Sequence, residues 1–204
     1  MLNPVADEAW FSQLPVEGEV VATSPWNVRQ LFSTEKTGGR GDWETPAAVF
    51  HALDKKFAFE LDACASHDNT LCDSYFTEED DGLSQCWIAP DSFSARGNAE
   101  FRDFLTIWCN PPYGRDVGKW VEKAYRESQE GCTVVMLVMA STDTRWWKDW
   151  VWKAAEVRFI TGRLKFTLDG FEQNSSPKGS AIVIFTPWSK GPPAVSLMER
   201  PEKG

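Results

Sequence analysis

The sequence predicts an α/β domain built on a largely parallel sheet, and three observations lead there. Between about residues 42 and 186, short strand-like apolar runs alternate with helical segments, the order that a parallel sheet with crossover helices produces. The run Cys132 to Met139 is continuously apolar, as in a strand covered on both faces. Asp62 and Asn110 each close an apolar run, so both fall at carboxyl strand ends, where open α/β sheets collect ligands.

Taken in order, residues 1–41 mix Pro, Gly, Ser and charge without sustained periodicity and end on Thr37-Gly38-Gly39-Arg40-Gly41, which reads as an irregular arm. Thr45-Pro46 fits an N-cap and first helical position, and Val49, Phe50, Leu53 and Phe57 follow at helical spacing. Phe57 to Asp62 and Phe104 to Cys109 read as strands. Asp116 fits the cap of a helix that presents Val117, Trp120, Val121, Ala124 and Tyr125 on one face, so the strand before it and Cys132 to Met139 after it make a βαβ unit. A helix from about Asp143 carries Trp146, Trp147, Trp150 and Trp152, more as packing than as a stacking array, and Val157 to Ile160 reads as the next strand. Arg163 to Leu168 and Ser180 to Thr186, joined through Gly170, Asn174, Pro177 and Gly179, read as a C-terminal antiparallel hairpin on the sheet edge. Pro187, Gly191, Pro192, Pro193 and Pro201 then mark residues 187–204 as a polar tail outside the core.

Composition narrows the function. At 204 residues, with 42% hydrophobic and 25% charged, the chain is the size of one globular domain with modest extensions. No apolar run is long enough to span a membrane and the N-terminus has no signal-like pattern, which predicts a cytoplasmic protein without membrane partners. Five cysteines without a C-x-x-C pair, and two histidines (His51 and His67), predict neither a disulfide framework nor a metal site. The net charge of −9 conceals an asymmetry: residues 1–100 sum to −12 and residues 101–204 to +3. A polyanion is therefore expected to meet the second half, where Arg115, Lys119, Arg145, Arg163, Lys165 and Lys178 are candidates for phosphate contacts, each against the alternative of an ordinary surface charge.

The chemistry concentrates in Asn110-Pro111-Pro112-Tyr113. Two consecutive prolines fix the backbone and donate no hydrogen bonds, so the loop offers carbonyl acceptors beside the Asn110 amide oxygen. The exocyclic amine of adenine carries two N–H donors; if Asn110 and the Pro111 carbonyl accept both, its lone pair is drawn out of conjugation and the nitrogen becomes a nucleophile. Tyr113 supplies a face for the base to stack on, worth about 1–3 kcal/mol. A base inside a duplex reaches such a pocket only when flipped, at a cost of about a few kcal/mol.

The tetrapeptide matches the (Asn/Asp/Ser)-Pro-Pro-(Tyr/Phe) motif of amino-methyltransferases. With DWETPAAVF (42–50), FELDACAS (59–66), DDGLSQCW (80–87), WCNPPYGRDVGKWVEKA (108–124), LVMASTDTRWW (137–147) and GRLKF (162–166), the sequence resembles the phage-encoded Dam-type DNA adenine methyltransferases. The resemblance implies a Rossmann-like fold, S-adenosylmethionine as cofactor, double-stranded DNA as partner and Asn110 to Tyr113 as the catalytic loop. It further implies that Asp62 meets the methionine ammonium with Ala63, Cys64 and Ala65 close by, that Trp43, Thr45 and Pro46 close over the methionine moiety, and that Asp81 contacts the cofactor adenine. Ala65-Ser66-His67-Asp68 stands where related enzymes have a glycine-rich turn.

Each assignment has a plainer competitor: Asp62 as a turn or cap residue, Asp81 as part of the solvated acidic run Glu78 to Asp81, Trp43 and Thr45-Pro46 as helix cap and staple. Three rival functions stay open on the residues alone. They are methylation of a protein glutamine, whose amide nitrogen is also planar, methylation of RNA adenine, and an inactive cofactor-binding or interaction module. No large target-recognition domain fits in the chain, so sequence selectivity is expected from loops 88–103 and 169–179. The oligomeric state is open between monomer and weak dimer.

Overall fold

In the computed structural model, residues 43–88, 105–168 and 171–201 are described. The arm assigned to residues 1–41, and nearly all of loop 88–103, lie outside them. Among the described residues three helices, α1 (Ala47–Phe57), α2 (Val117–Gln129) and α3 (Arg145–Asp149), and a 3₁₀ turn at Val151–Lys153 accompany nine strands: β1 (Leu61–Asp62), β2 (Ser74–Tyr75), β3 (Thr106–Cys109), β4 (Thr133–Met139), β5 (Glu156–Ile160), β6 (Lys165–Leu168), β7 (Phe171–Ser175), β8 (Ser180–Phe185) and β9 (Ala194–Met198).

Seven of these strands form one sheet in the order β2-β1-β3-β4-β8-β5-β9, and only β8 runs against the rest. The mostly parallel α/β architecture expected from the sequence is therefore present. Strand β4 shows why its run is continuously apolar. Val134, Met136 and Val138 pack on one face with Trp120, Val121 and Ala124 of α2, while Val135 and Leu137 pack on the other with Val49, Phe50 and Leu53 of α1. Strand β8 is buried along its whole length and contributes Ala181, Val183 and Phe185 to the first cluster, Ile182 and Ile184 to the second. Burying hydrophobic side chains on both faces fixes the sheet between two helical layers.

Several expectations are corrected. The strand expected from Phe57 shrinks to Leu61–Asp62, because Ala58 turns left-handed (φ 51°) to end α1 and the Asp54 carboxylate accepts the Phe59 N–H at 2.8 Å. Phe57 and Phe59 stack beside that turn instead of extending a strand. Pro46 stands at the N-cap of α1 rather than its first turn, and its carbonyl accepts from Val49 and Phe50. Asp116 caps α2 without a side-chain hydrogen bond, its carboxylate pairing with Lys119 at 2.7 Å.

The C-terminal hairpin is also different. β6 pairs with β7, which occupies what was read as a loop, in a separate two-stranded sheet, while β8 inserts between β4 and β5 in the sheet interior. A uniformly buried strand cannot sit at an edge, and the edge is supplied by β9, from the stretch read as a tail. Its side chains remain largely exposed, Leu197 at 74%. Of the four clustered tryptophans, Trp147 is buried, Trp146 and Trp150 half-buried, and Trp152 exposed.

Candidate active site

Strands β1 and β3 are parallel neighbours with Asp62 in register with Trp108, so their carboxyl ends bring the Asp62 turn and the Asn110 loop side by side. Asn110 follows β3 directly. Its Nδ2 donates to the Trp43 carbonyl at 2.8 Å, and its Oδ1 accepts the Tyr113 hydroxyl at 3.0 Å. A carbonyl oxygen only accepts, so the Trp43 contact fixes which end of the amide is nitrogen and leaves the oxygen on the Tyr113 side. Pro111 is buried and Pro112 half-buried, and neither has an N–H to spend on the loop.

The Tyr113 ring lies against Trp43 (centroids 5.7 Å) and Phe166 (5.6 Å), and Trp43 lies 5.1 Å from Phe166. These three rings form an aromatic wall beside the Asn110 amide. Burial pushes the Tyr113 phenol well above its usual range, so it acts as a neutral hydrogen-bond donor.

Asp62 is 2% exposed. Its Oδ1 accepts the Cys64 N–H at 3.2 Å and its Oδ2 the Leu71 N–H at 3.4 Å. Desolvation raises the carboxyl to about 7, against the smaller lowering effect of those two backbone donors. A buried carboxyl held near neutrality, with backbone N–H groups as its hydrogen-bond partners among the described residues, is a site that a cationic ligand would complete. Ala63 is fully buried and donates to the Trp108 carbonyl at 2.9 Å, and Ala65 donates to Phe76 at 2.9 Å, so backbone pairing pins the turn after Asp62 on both sides. Cys64 is half-buried there and forms no disulfide with another described residue.

The acidic run divides. Asp80 folds back on Thr77, accepting from its N–H at 2.8 Å and its hydroxyl at 2.7 Å, which holds its carboxyl below the usual range. Asp81 is exposed, with its backbone at φ 51°. Gly82, which sequence reasoning passed over, anchors this turn. A Cβ there would lie 2.5 Å from the Ala63 carbonyl oxygen and 3.0 Å from the Trp120 ring, and the Gly82 carbonyl accepts the buried Trp87 indole N–H at 2.7 Å. The Asp81 turn is thereby docked on the turn after Asp62. Gly82→Ala is expected to cost about 1–3 kcal/mol, as overpacking against fixed backbone does. Thermal melting of the variant against the wild type checks it.

Over residues 33–204 the chain matches the family of the DNA N-6-adenine-methyltransferases (Dam). It belongs to that family. The DNA N-6-adenine-methyltransferase of Haemophilus phage HP1 (strain HP1c1) is 30% identical over 183 residues, covering 84% of this chain and 96% of the relative. That of Escherichia phage T1 is 30% identical over 132 residues, covering 64% of this chain and 49% of the relative. The chain thus spans about half the length of the T1 relative and nearly all of the HP1 one.

Within this Dam-family fold the six basic candidates fall near one edge. Arg115 and Lys119 follow β3, Arg145 opens α3 after β4, Arg163 follows β5, and Lys165 begins β6. Lys178 precedes the antiparallel β8 and donates to Ser141 at 3.1 Å. Because β8 alone is reversed, its start lies beside the end of β4, with Met139 opposite Ser180. This is the carboxyl edge that also carries Asn110 and Asp62. Lys119 is ion-paired with Asp116. Among the described residues no group of three or more His, Cys, Asp and Glu side chains is placed to hold a metal ion, and no helix is long and apolar enough to cross a membrane.

Sequence reasoning also missed Phe166, fully buried in the aromatic wall, and the contact of Glu44 with Thr167. GRLKF carries Phe166 and DWETP carries Glu44, with Thr167 directly after GRLKF, but nothing in these segments says that Glu44 and Thr167 meet.

Proposed function

We propose that this chain methylates the exocyclic amine of a flipped adenine in double-stranded DNA, using S-adenosylmethionine on a Rossmann-like methyltransferase fold. The observation that carries the reading is the Asn110 amide, oriented by Trp43 so that its oxygen is an acceptor already engaged by an O–H donor. An adenine N–H replaces that donor like for like. Family membership favours this reading over glutamine or RNA methylation, and the intact platform favours it over an inactive module.

Asn110 Oδ1 and the Pro111 carbonyl accept the two amine protons, and Tyr113 stacks on the base with Trp43 and Phe166 behind it. Asp62 would hold the cofactor ammonium, with Ala63, Cys64 and Ala65 lining the turn, Asp81 would meet the cofactor adenine, and Trp43, Thr45 and Pro46 would close over the methionine portion. When bound, S-adenosylmethionine supplies a methyl group already activated on its sulfonium, so the residues' task is alignment rather than strong base catalysis. The two oxygens also favour positive charge developing on the amine nitrogen before its proton leaves to solvent. Arg115, Lys119, Arg145, Arg163, Lys165 and Lys178 meet phosphates along the carboxyl edge. The catalytic domain occupies about residues 42–186 with β9 added at its edge, and the reaction belongs in the host cytoplasm, where DNA and cofactor meet.

The test is transfer of labelled methyl from S-adenosylmethionine to unmethylated double-stranded DNA, followed by nucleoside analysis. N6-methyladenine is the expected product. Absence of transfer to either single- or double-stranded DNA, with cofactor binding demonstrated, overturns the reading.

A further inference from the structure

We propose that Glu44 and Thr167 are positioning residues for methyl transfer, a clamp that holds the Trp43 carbonyl on Asn110 Nδ2 and so keeps Asn110 Oδ1 turned toward the target amine. The proposal rests on the reading of Asn110 as acceptor for that amine.

The two ends of an asparagine amide are nearly equal in size, so only the surroundings decide which faces the substrate. The Tyr113 hydroxyl cannot decide, since a hydroxyl serves as donor or acceptor. The Trp43 carbonyl can, because it accepts only, and an inverted amide would bring two oxygens together there while presenting N–H donors to an amine that itself donates.

The Trp43 carbonyl in turn depends on what holds residue 44. Glu44 N–H donates to the Thr167 carbonyl at 2.9 Å, Thr167 N–H to the Glu44 carbonyl at 3.4 Å, and the Thr167 hydroxyl to the Glu44 carboxylate at 2.6 Å. The last is short and charge-assisted, stronger than a neutral hydrogen bond. Thr167 lies on β6, which pairs with β7 in the small sheet rather than with the large one. The orientation of Asn110 is thus set by an element 123 residues distant from Glu44 in sequence and separate from the sheet that carries Asn110 itself.

Thr167→Val keeps the shape and the backbone pairing but removes the hydroxyl; Thr167→Ser returns it. For Thr167→Val, kcat on DNA is expected to fall about threefold to tenfold, the effect of losing one hydrogen bond, while KM for the cofactor changes less than kcat does. Thr167→Ser is expected to recover most of the loss, which a fold defect at this position would not allow. In parallel, the Asn110 side-chain NH₂ signal, assigned by its absence in Asn110→Asp, is expected to exchange faster with water in Thr167→Val and at the wild-type rate in Thr167→Ser. Unchanged kcat and unchanged amide exchange in Thr167→Val overturn the clamp, as does failure of serine to rescue. If the wild type transfers no methyl to DNA, the enzymatic reading fails by that result alone, and the amide exchange decides whether the clamp exists.

Discussion

Asn110→Ala is expected to lower kcat on DNA by about 10²–10³-fold, the range measured when one preorganised group facing developing transition-state charge is removed. Affinity for S-adenosylmethionine is expected to fall far less than kcat, because the carboxylate proposed to hold it, Asp62, belongs to a different strand and is hydrogen-bonded to Cys64 and Leu71 rather than to the Asn110 loop. The substitution also strips the Trp43 carbonyl of its donor, so a loss of about 1–3 kcal/mol in stability should accompany it. Measuring activity well below the melting temperature separates the two effects. Asn110→Asp is the informative companion: it retains an acceptor for the amine but faces the Trp43 carbonyl with an oxygen, so intermediate activity and a displaced Trp43 are expected. If Asn110→Ala keeps activity within about fivefold of wild type, the acceptor platform is not what activates the amine.

What was legible in the sequence is what depends on local periodicity or on the covalent peculiarity of proline. Strand β4 and helix α2 come close to their expected bounds because each carries a one-dimensional record of the layers around it: continuous apolarity for burial on both faces, a 3.6-residue spacing for burial on one. Asn110 to Tyr113 stands out because two prolines without N–H groups are a chemical statement before they are a structural one. Strands β2 and β9 left no such record. β2 has two half-buried residues, and the side chains of β9 are largely exposed, so backbone pairing holds both rather than an apolar pattern. The misplacement of β8 has the same origin, since an apolar run reports burial but not which neighbours supply it. At the site, the partners that set orientation are distant in sequence: Trp43 reaches Asn110 across 67 residues and Glu44 reaches Thr167 across 123. Asp62 was legible as a strand-end acid, but its raised carboxyl was not, because desolvation depends on what closes around it.

With Asp62 in its proposed role at the cofactor ammonium, that raised carboxyl is expected to make the affinity for S-adenosylmethionine depend on pH near neutrality. In the free protein Asp62 titrates at about 7, above its ordinary 3.8, so below pH 7 it is mostly uncharged and cannot pair with the cofactor ammonium. Affinity is therefore expected to rise as pH increases from 5.5 toward 7, by up to about tenfold per unit, and then to level. It should weaken again where an α-amino group loses its proton, at about 8, giving a bell. The stability of the cofactor-free chain responds in the opposite sense. A folded-state carboxyl raised above its unfolded value contributes stability that is fully present below 3.8 and is lost as pH rises through about 7. Acidification from pH 7 to 5 should accordingly raise the contribution of this one group to the melting temperature of the free protein while weakening cofactor binding. Asp62→Ala is expected to abolish the acid limb of the binding profile and to remove that group's part of the pH slope in melting. Truncating one member of a buried charge pair costs about 2 kcal/mol or more, so at pH 7.5 the variant should bind cofactor at least about 30-fold more weakly. Calorimetric titration across pH 5.5 to 9 with wild type and Asp62→Ala decides the matter. An acid limb that survives in the variant would place the titrating group elsewhere, and an affinity indifferent to the substitution would remove Asp62 from the cofactor site.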